Sequence, residues 1–220
     1  MTGDTGPRAW LIRHGQSESN AGLPTNGPGA APLTELGHAE ARRVAARFDA
    51  PPALIAVSPF RRARETAAPT IARFPDVPCE EWPVQEFTYL GALHGPQTTV
   101  EQRRPFAEAY WRRCDPDLVE GGDGESFRDL IGRARAMLER LAALPADGPV
   151  AVFSHAMFIR AVIWTLATGT AEPSAADMRT YERLGGTLLI PNGAVVELRP
   201  GGRSGYAVVV DGPASGRLAK

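Results

Sequence analysis

The stretch "WLIRHGQSESN", residues 10–20, runs from three apolar side chains straight into an arginine, a histidine, a glycine and a string of mostly small polar residues. A continuous apolar run of this kind, unlike an alternating one, reads as a strand covered on both faces, and such strands belong to mostly parallel sheets. Two later stretches repeat the arrangement. "ALIAV" (53–57) is followed by Ser58-Pro59-Phe60-Arg61-Arg62, and "VAVF" (150–153) by Ser154-His155. In an open parallel sheet the carboxyl ends of the strands share one edge, where ligands bind, so these polar segments are expected to converge.

The segments between the strands carry helical spacing. In residues 35–48, Leu36, Ala41, Val44, Ala45 and Phe48 recur at helical intervals behind Thr34, a capping residue. Residues 126–144 place Phe127, Leu130, Ile131, Ala134, Leu138 and Leu141 on one stripe, opened by a Ser126–Asp129 capping box. Further helices are expected over about 60–73 and after His155, through Ile159, Val162, Ile163 and Leu166. This alternation predicts an α/β protein, a three-layer α/β/α sandwich on a mostly parallel central sheet. Asn192-Gly193, between apolar runs in "TLLIPNGAVVELRP", predicts a hairpin that extends the sheet antiparallel, and 206–210 an edge strand. Residues 75–124 are rich in Pro, Gly and charge, with a short helix expected at 100–113. A segment of that kind, about 90–124 here, suits a lid.

Composition narrows the classes. With 220 residues, 43% of them hydrophobic, the chain can bury a sizeable core; one domain is expected over 1–220, with its core at about 8–200 and a flexible carboxyl-terminal tail. A formal net charge of -1 argues against a broad basic surface for nucleic acid. Cys79 and Cys114 are too few for a disulfide framework and read as free thiols of a reducing, cytoplasmic compartment. No apolar run approaches the length that crosses a bilayer. A second copy of the chain, as a homodimer, is allowed for as a partner; neither nucleic acid nor membrane is expected.

The converging groups are two histidines, at least two arginines and the amino ends of the helices that follow. Free N–H groups and helix dipoles attract anions, and guanidinium forks bind phosphate oxygens in pairs. A neutral imidazole is a competent nucleophile towards phosphorus when a carbonyl holds its other N–H, and nearby arginines disfavour the imidazolium. Metal chemistry has no matching His-x-x-x-His or paired-cysteine spacing, and the arginines would repel a dication. No metal and no cofactor are expected.

Five blocks in order resemble the histidine phosphatase superfamily, also called phosphoglycerate mutase-like: "LIRHGQSESN", "APLTELGHAEARRVA", "SPFRRARETA", "GESFRDL" and "VFSHAMFIRAVI". By that resemblance His14 would accept the phosphoryl group as a phosphohistidine, while Arg13, Arg62 and His155 would grip its oxygens. Ser17 and Asn20 match positions that line the phosphate pocket. The family spacing selects Arg62 over Arg61 and Arg64, and Glu86 stands where similar proteins carry the acid that protonates the leaving group. Ala156 and Gln16 depart from the commoner glycine and glutamate of the pattern.

His38 and His94 are expected at the surface, and Arg42-Arg43 and Arg103-Arg104 on solvated faces, with a lid contact to a substrate tail as the alternative for Arg103 and Arg104. Trp10, Trp82, Trp111 and Trp164 read as packing. The resemblance implies a phosphomonoesterase whose partner is a small phosphorylated substrate and which works through phosphohistidine. Its alternatives are a cofactor-dependent phosphoglycerate mutase-type isomerase and a non-catalytic binder of phosphorylated ligands. "YLGALHG" (89–95) faintly matches the mutase turn, but "PQTTVEQRRPFAEAYWRR" lacks a match to the mutase lid.

Overall fold

The computed structural model describes residues 6–201 and 205–209. Its sheet has six strands in the order β3-β2-β4-β1-β5-β6: β1 (Ala9–Arg13), β2 (Leu54–Val57), β3 (Cys79–Glu81), β4 (Val150–Ser154), β5 (Val195–Pro200) and β6 (Tyr206–Val209). β1, β2, β3 and β4 run parallel, whereas β5 pairs antiparallel with both β1 and β6. The three apolar runs therefore lie side by side at the centre, as their continuous character predicts.

Period-two alternation sends each strand's side chains to two separate cores. Trp10, Ile12, Ile55, Val57, Ala151 and Phe153 meet α1 (Glu35–Ala46) and α2 (Arg61–Arg73). Ala9, Leu11, Leu54, Ala56, Val150 and Val152 face the other way, onto α4 (Phe127–Ala142), α5 (Ala156–Thr168) and α6 (Ala175–Thr187). This is the three-layer α/β/α sandwich. Leu130 and Ile131 on α4 are wholly buried, and each such side chain contributes about 1.5–3 kcal/mol by leaving water. The Thr34 cap and the Ser126–Asp129 capping box form as expected, the helices ending at Ala46 and Ala142. α3 (Val100–Arg113) rises from the segment read as a lid, and Thr99 caps it.

The Asn192-Gly193 hairpin does not form. α6, whose capping box joins Ser174 and Asp177, runs through Thr187, and Leu188 closes it by donating to the Leu184 carbonyl. Ala194 N then donates to the Pro191 carbonyl at 3.0 Å, so the asparagine and glycine turn the chain from helix into β5 rather than from strand into strand. β5, the strand such a hairpin would pair with, already has β1 and β6 as neighbours, which leaves no edge beside it for residues 188–190. The edge strand near the end forms as β6, while the tail after it lies outside the described residues. Among the described residues no helix is long and apolar enough to cross a membrane. Both cysteines are free thiols, Cys79 exposed and Cys114 partly covered.

Candidate active site

The carboxyl ends of β1, β2 and β4 bring the polar segments together. His14 N donates to Ser154 O at 3.0 Å and Ser58 N to Phe153 O at 3.0 Å, so backbone pairing continues past the strand ends and draws the two histidines together. The His14 and His155 ring centroids stand 5.0 Å apart. Both rings are buried.

His14 is held from both sides. Its Nδ1 lies 2.7 Å from Gly15 O, which accepts only from an N–H. Arg62 Nε donates to His14 Nε2 at 3.0 Å, which requires a lone pair there. The two contacts agree on one tautomer, with the proton on Nδ1 and Nε2 unprotonated. Burial, followed by the charge of Arg62, holds the imidazole well below its usual pKa, the Gly15 contact opposing them. His155 is depressed in the same way, first by burial and then by Arg62. Its Nε2 meets Ser58 Oγ at 2.8 Å.

The arginine choice is visible in the fold. Arg61 pairs with Glu65 at 2.6 Å and Arg64 with Glu81 at 2.5 Å, both towards solvent, whereas Arg62 turns inward between His14 and the Pro28 carbonyl. Burial lowers its guanidinium to about 10, with Glu86 acting in the opposite direction. Arg13 Nη1 donates to Ile190 O at 2.5 Å, and burial lowers its guanidinium too. Arg13 Nε and His155 Nδ1 are sealed from solvent with no protein partner.

The loop after His14 fits only because glycines face each other. A Cβ on Gly37 would stand 2.0 Å from Gln16 O, and one on Gly15 2.5 Å from Gly37 O. Gly15 N donates to Thr66 Oγ1 at 3.0 Å, and that hydroxyl donates to Arg62 O at 2.6 Å, so one buried threonine ties the histidine loop to the arginine helix. The Gln16 side chain accepts from Thr34 Oγ1 at 2.8 Å, a use that glutamine serves as well as glutamate.

Ser17 and Asn20 sit in the same loop. Ser17 is buried, its N and Oγ both donating to Asn20 Oδ1 at 3.2 and 3.1 Å, so the serine braces the asparagine. Asn192 Nδ2 donates to that same oxygen and to His14 O, each at 3.1 Å. Asn192 was legible only as a turn residue.

Glu86 lies at the amino end of α5, just beyond His155. Its Oε1 accepts from Met157 N at 3.1 Å and Phe158 N at 3.2 Å, an end of helix for which His155 supplies no side-chain cap. Arg133 on α4 holds the preceding segment by donating to Pro83 O and Gln85 O. Glu86 is also the carboxylate whose field most opposes the lowering of both Arg13 and Arg62.

Beside Arg62 opens a cavity of about 290 Å³, walled by Phe87, Tyr89 and Leu90 on the lid side. Here two surface expectations fail. Arg103 is 6% exposed and lines the cavity, its Nη1 donating to Thr98 O at 2.5 Å and Thr98 Oγ1 at 2.9 Å, which its position beside Arg104 did not foretell. His94 is half-buried, also lines the cavity, and bonds Thr25 Oγ1 through Nε2 at 3.2 Å. His38 is exposed as expected, and Trp10, Trp82 and Trp164 are packed in the cores.

Residues 9–183 match the family model of the histidine phosphatase superfamily, branch 1. The chain belongs to that superfamily. Among this phosphatase family's members it is 31% identical over 163 residues to a Photorhabdus laumondii protein named "Probable phosphoglycerate mutase GpmB", covering 72% of this chain and 74% of the relative. It is 28% identical over 167 residues to the adenosylcobalamin/alpha-ribazole phosphatase of Salmonella typhimurium, covering 73% and 80%. The solved mycobacterial glucosyl-3-phosphoglycerate phosphatase, in complex with VO3, superposes with a TM-score of 0.68 at 25% identity, over 93% of this chain and 97% of that one.

Proposed function

We propose that this histidine phosphatase hydrolyses small phosphomonoesters through a phosphohistidine on His14, within a single domain in the cytoplasm. The observation that carries the reading is the His14 tautomer, with an unprotonated Nε2 directed at the Arg62 guanidinium and Nδ1–H anchored on Gly15 O. An arriving phosphoryl group takes over the Arg62 Nε–H, and the Nε2 lone pair attacks phosphorus. The ester P–O bond breaks, and Glu86 gives its carboxyl proton to the departing oxygen. Water then attacks the phosphohistidine while Glu86 takes a proton from it, which frees inorganic phosphate and restores neutral His14. Arg13, Arg62 and His155 stabilise the charge that builds on the equatorial oxygens, with Ser17 orienting Asn20 at the rim.

The mutase reading has its own support, in the name of the Photorhabdus relative and in the basic side chains of the cavity. A mutase must shield its phosphohistidine from water and let the intermediate rebind in a second orientation. The 96–113 segment lacks the sequence of a mutase lid, which favours hydrolysis.

Rapid quenching with radiolabelled substrate tests both. Acid-labile, base-stable label on His14, absent from His14→Ala, is expected, together with net release of inorganic phosphate without added 2,3-bisphosphoglycerate. Turnover that persists in His14→Ala rejects the mechanism. Isomerisation of phosphoglycerates far faster than phosphate release selects the mutase.

A further inference from the structure

His155 is wholly buried, and three neighbours hold its ring. Ser58 Oγ stands 2.8 Å from Nε2, the Phe60 ring meets the imidazole edge-on at 5.3 Å between centroids, and the His14 ring lies 5.0 Å away. Ser58 is wholly buried too. Its N–H donates to Phe153 O at 3.0 Å, so the ends of β2 and β4 keep the serine and the histidine in register.

A hydroxyl brings one hydrogen and an oxygen that accepts. Phe60 N donates to Ser58 Oγ at 3.2 Å, a local turn that fixes the serine side chain and uses its oxygen as acceptor. Among the described residues, His155 Nε2 is the other group that the hydroxyl meets. If Nε2 carries a lone pair, Ser58 donates to it and both buried groups are satisfied. If Nε2 carried a proton, the serine hydrogen would be buried without an acceptor, which folded proteins avoid. Burial and the Arg62 charge keep the ring neutral, so it has one N–H to place, and the serine leaves Nδ1 for it. Nδ1 is sealed from solvent and has no partner among the described residues. With Nε2 taken by Ser58, Nδ1 is the nitrogen through which His155 can meet a phosphoryl oxygen.

We infer that Ser58 is a positioning residue for the phosphoryl site: its hydroxyl donates to His155 Nε2 and so keeps that histidine in the Nδ1–H form, which donates to a phosphoryl oxygen. Two neutral histidines of one tautomer then act in opposite senses. His14 offers its Nε2 lone pair to phosphorus, and His155 offers its Nδ1–H to an equatorial oxygen. In the other tautomer Nδ1 would turn a lone pair towards an anion. The use of the N–H rests on the hydrolase reading, whereas the tautomer itself is a property of the free protein. Losing a hydrogen bond to a charged oxygen weakens binding or turnover by about tenfold to a hundredfold.

NMR of protein labelled with 15N in its histidines reads the ring nitrogens directly, with signals assigned by single histidine replacements. Wild type should show His155 protonated at Nδ1 and bare at Nε2, and the reverse pattern overturns the inference. Ser58→Ala should lose that preference. It should also bind orthovanadate, a mimic of the phosphoryl group in transfer, about tenfold to a hundredfold more weakly by calorimetry, with a similar fall in kcat on p-nitrophenyl phosphate. Ser58→Thr, which keeps the hydroxyl, should recover the tautomer and part of the affinity. A packing defect alone does not move the ring proton, so the spectrum separates positioning from folding. A wild-type tautomer in Ser58→Ala overturns the inference, and so does a changed tautomer with vanadate affinity and kcat both within about twofold of wild type. If Ser58→Ala does not fold, Ser58→Cys, with its weaker donor, is read in the same way. Vanadate affinity that follows the tautomer in a protein without turnover or phosphohistidine refutes the hydrolase reading alone.

Discussion

Glu86 caps α5 and is the proposed acid, two roles that one substitution pair separates. Its Oε1 gathers the amide protons of Phe87, Met157 and Phe158 at 3.1–3.2 Å, so it caps α5. Glu86→Gln keeps a carbonyl oxygen for those amides and removes the negative charge at a helix amino end, worth about 0.3–1 kcal/mol. Glu86→Ala removes the cap outright, worth about 1–2 kcal/mol, and takes the acceptor from all three amides. For a chain of this size each kcal/mol moves Tm by about 2–4 °C, so the glutamine variant should melt within about 4 °C of wild type and the alanine variant about 2–8 °C below it. General acid catalysis contributes about 10²- to 10⁴-fold, but only where the leaving oxygen needs a proton. Both variants should therefore lose about that factor in kcat/KM on an alkyl phosphate and less than about tenfold on p-nitrophenyl phosphate, whose phenolate leaves unaided. The assay is steady-state kinetics on the two substrates beside a melting curve. Equal losses on both, rising with the fall in Tm from glutamine to alanine, would show that Glu86 is a helix cap and that the acid lies elsewhere.

Thr66→Val leaves the buried Gly15 N–H without an acceptor and should cost about 1–3 kcal/mol in urea unfolding along with a fall in kcat, whereas Thr66→Ser, which keeps the hydroxyl, should retain most of both; equal stability and turnover in valine and wild type would remove the threonine from the site's support. His14 and His155 are held neutral in the folded chain but take up protons at about pH 6.5 when unfolded, so the unfolded state binds more protons below that pH. Their contribution to stability is complete above about pH 6.5 and is lost as pH falls towards the folded values, at up to about 1.4 kcal/mol per pH unit for each ring. Urea midpoints taken from pH 7.5 to 5 should fall accordingly, and midpoints flat over that range would contradict a neutral buried pair. The acid limb of kcat/KM should likewise lie well below pH 6.5, and a limb at pH 6.5 would mean that His14 titrates as an ordinary imidazole.

Much of this protein was determined by the sequence alone. β1, β2 and β4 announce themselves as unbroken apolar runs, α1 and α4 by stripe and cap, and the convergence of Arg13, His14, Ser58, Arg62 and His155 follows from the parallel order of three strands. These signals are local, because backbone periodicity and capping operate within a few residues. Asn192 closes on His14, Arg13 on Ile190 and Glu86 on the first turn of α5, contacts separated by 71–178 positions along the chain. Only the tertiary structure decided them. The dipeptide Asn192-Gly193 favours a tight turn wherever it stands, and the sheet, with both edges of β5 taken by β1 and β6, made that turn a brace for the His14 loop rather than a hairpin. Arg103 and Arg104 are alike as sequence and both reach the cavity wall, yet the first is buried and the second pairs with Glu101 in solvent. A side chain's type is written in the chain; its solvent and its counter-charge are set by which distant surface the helix meets, and that depends on the packing of the whole fold.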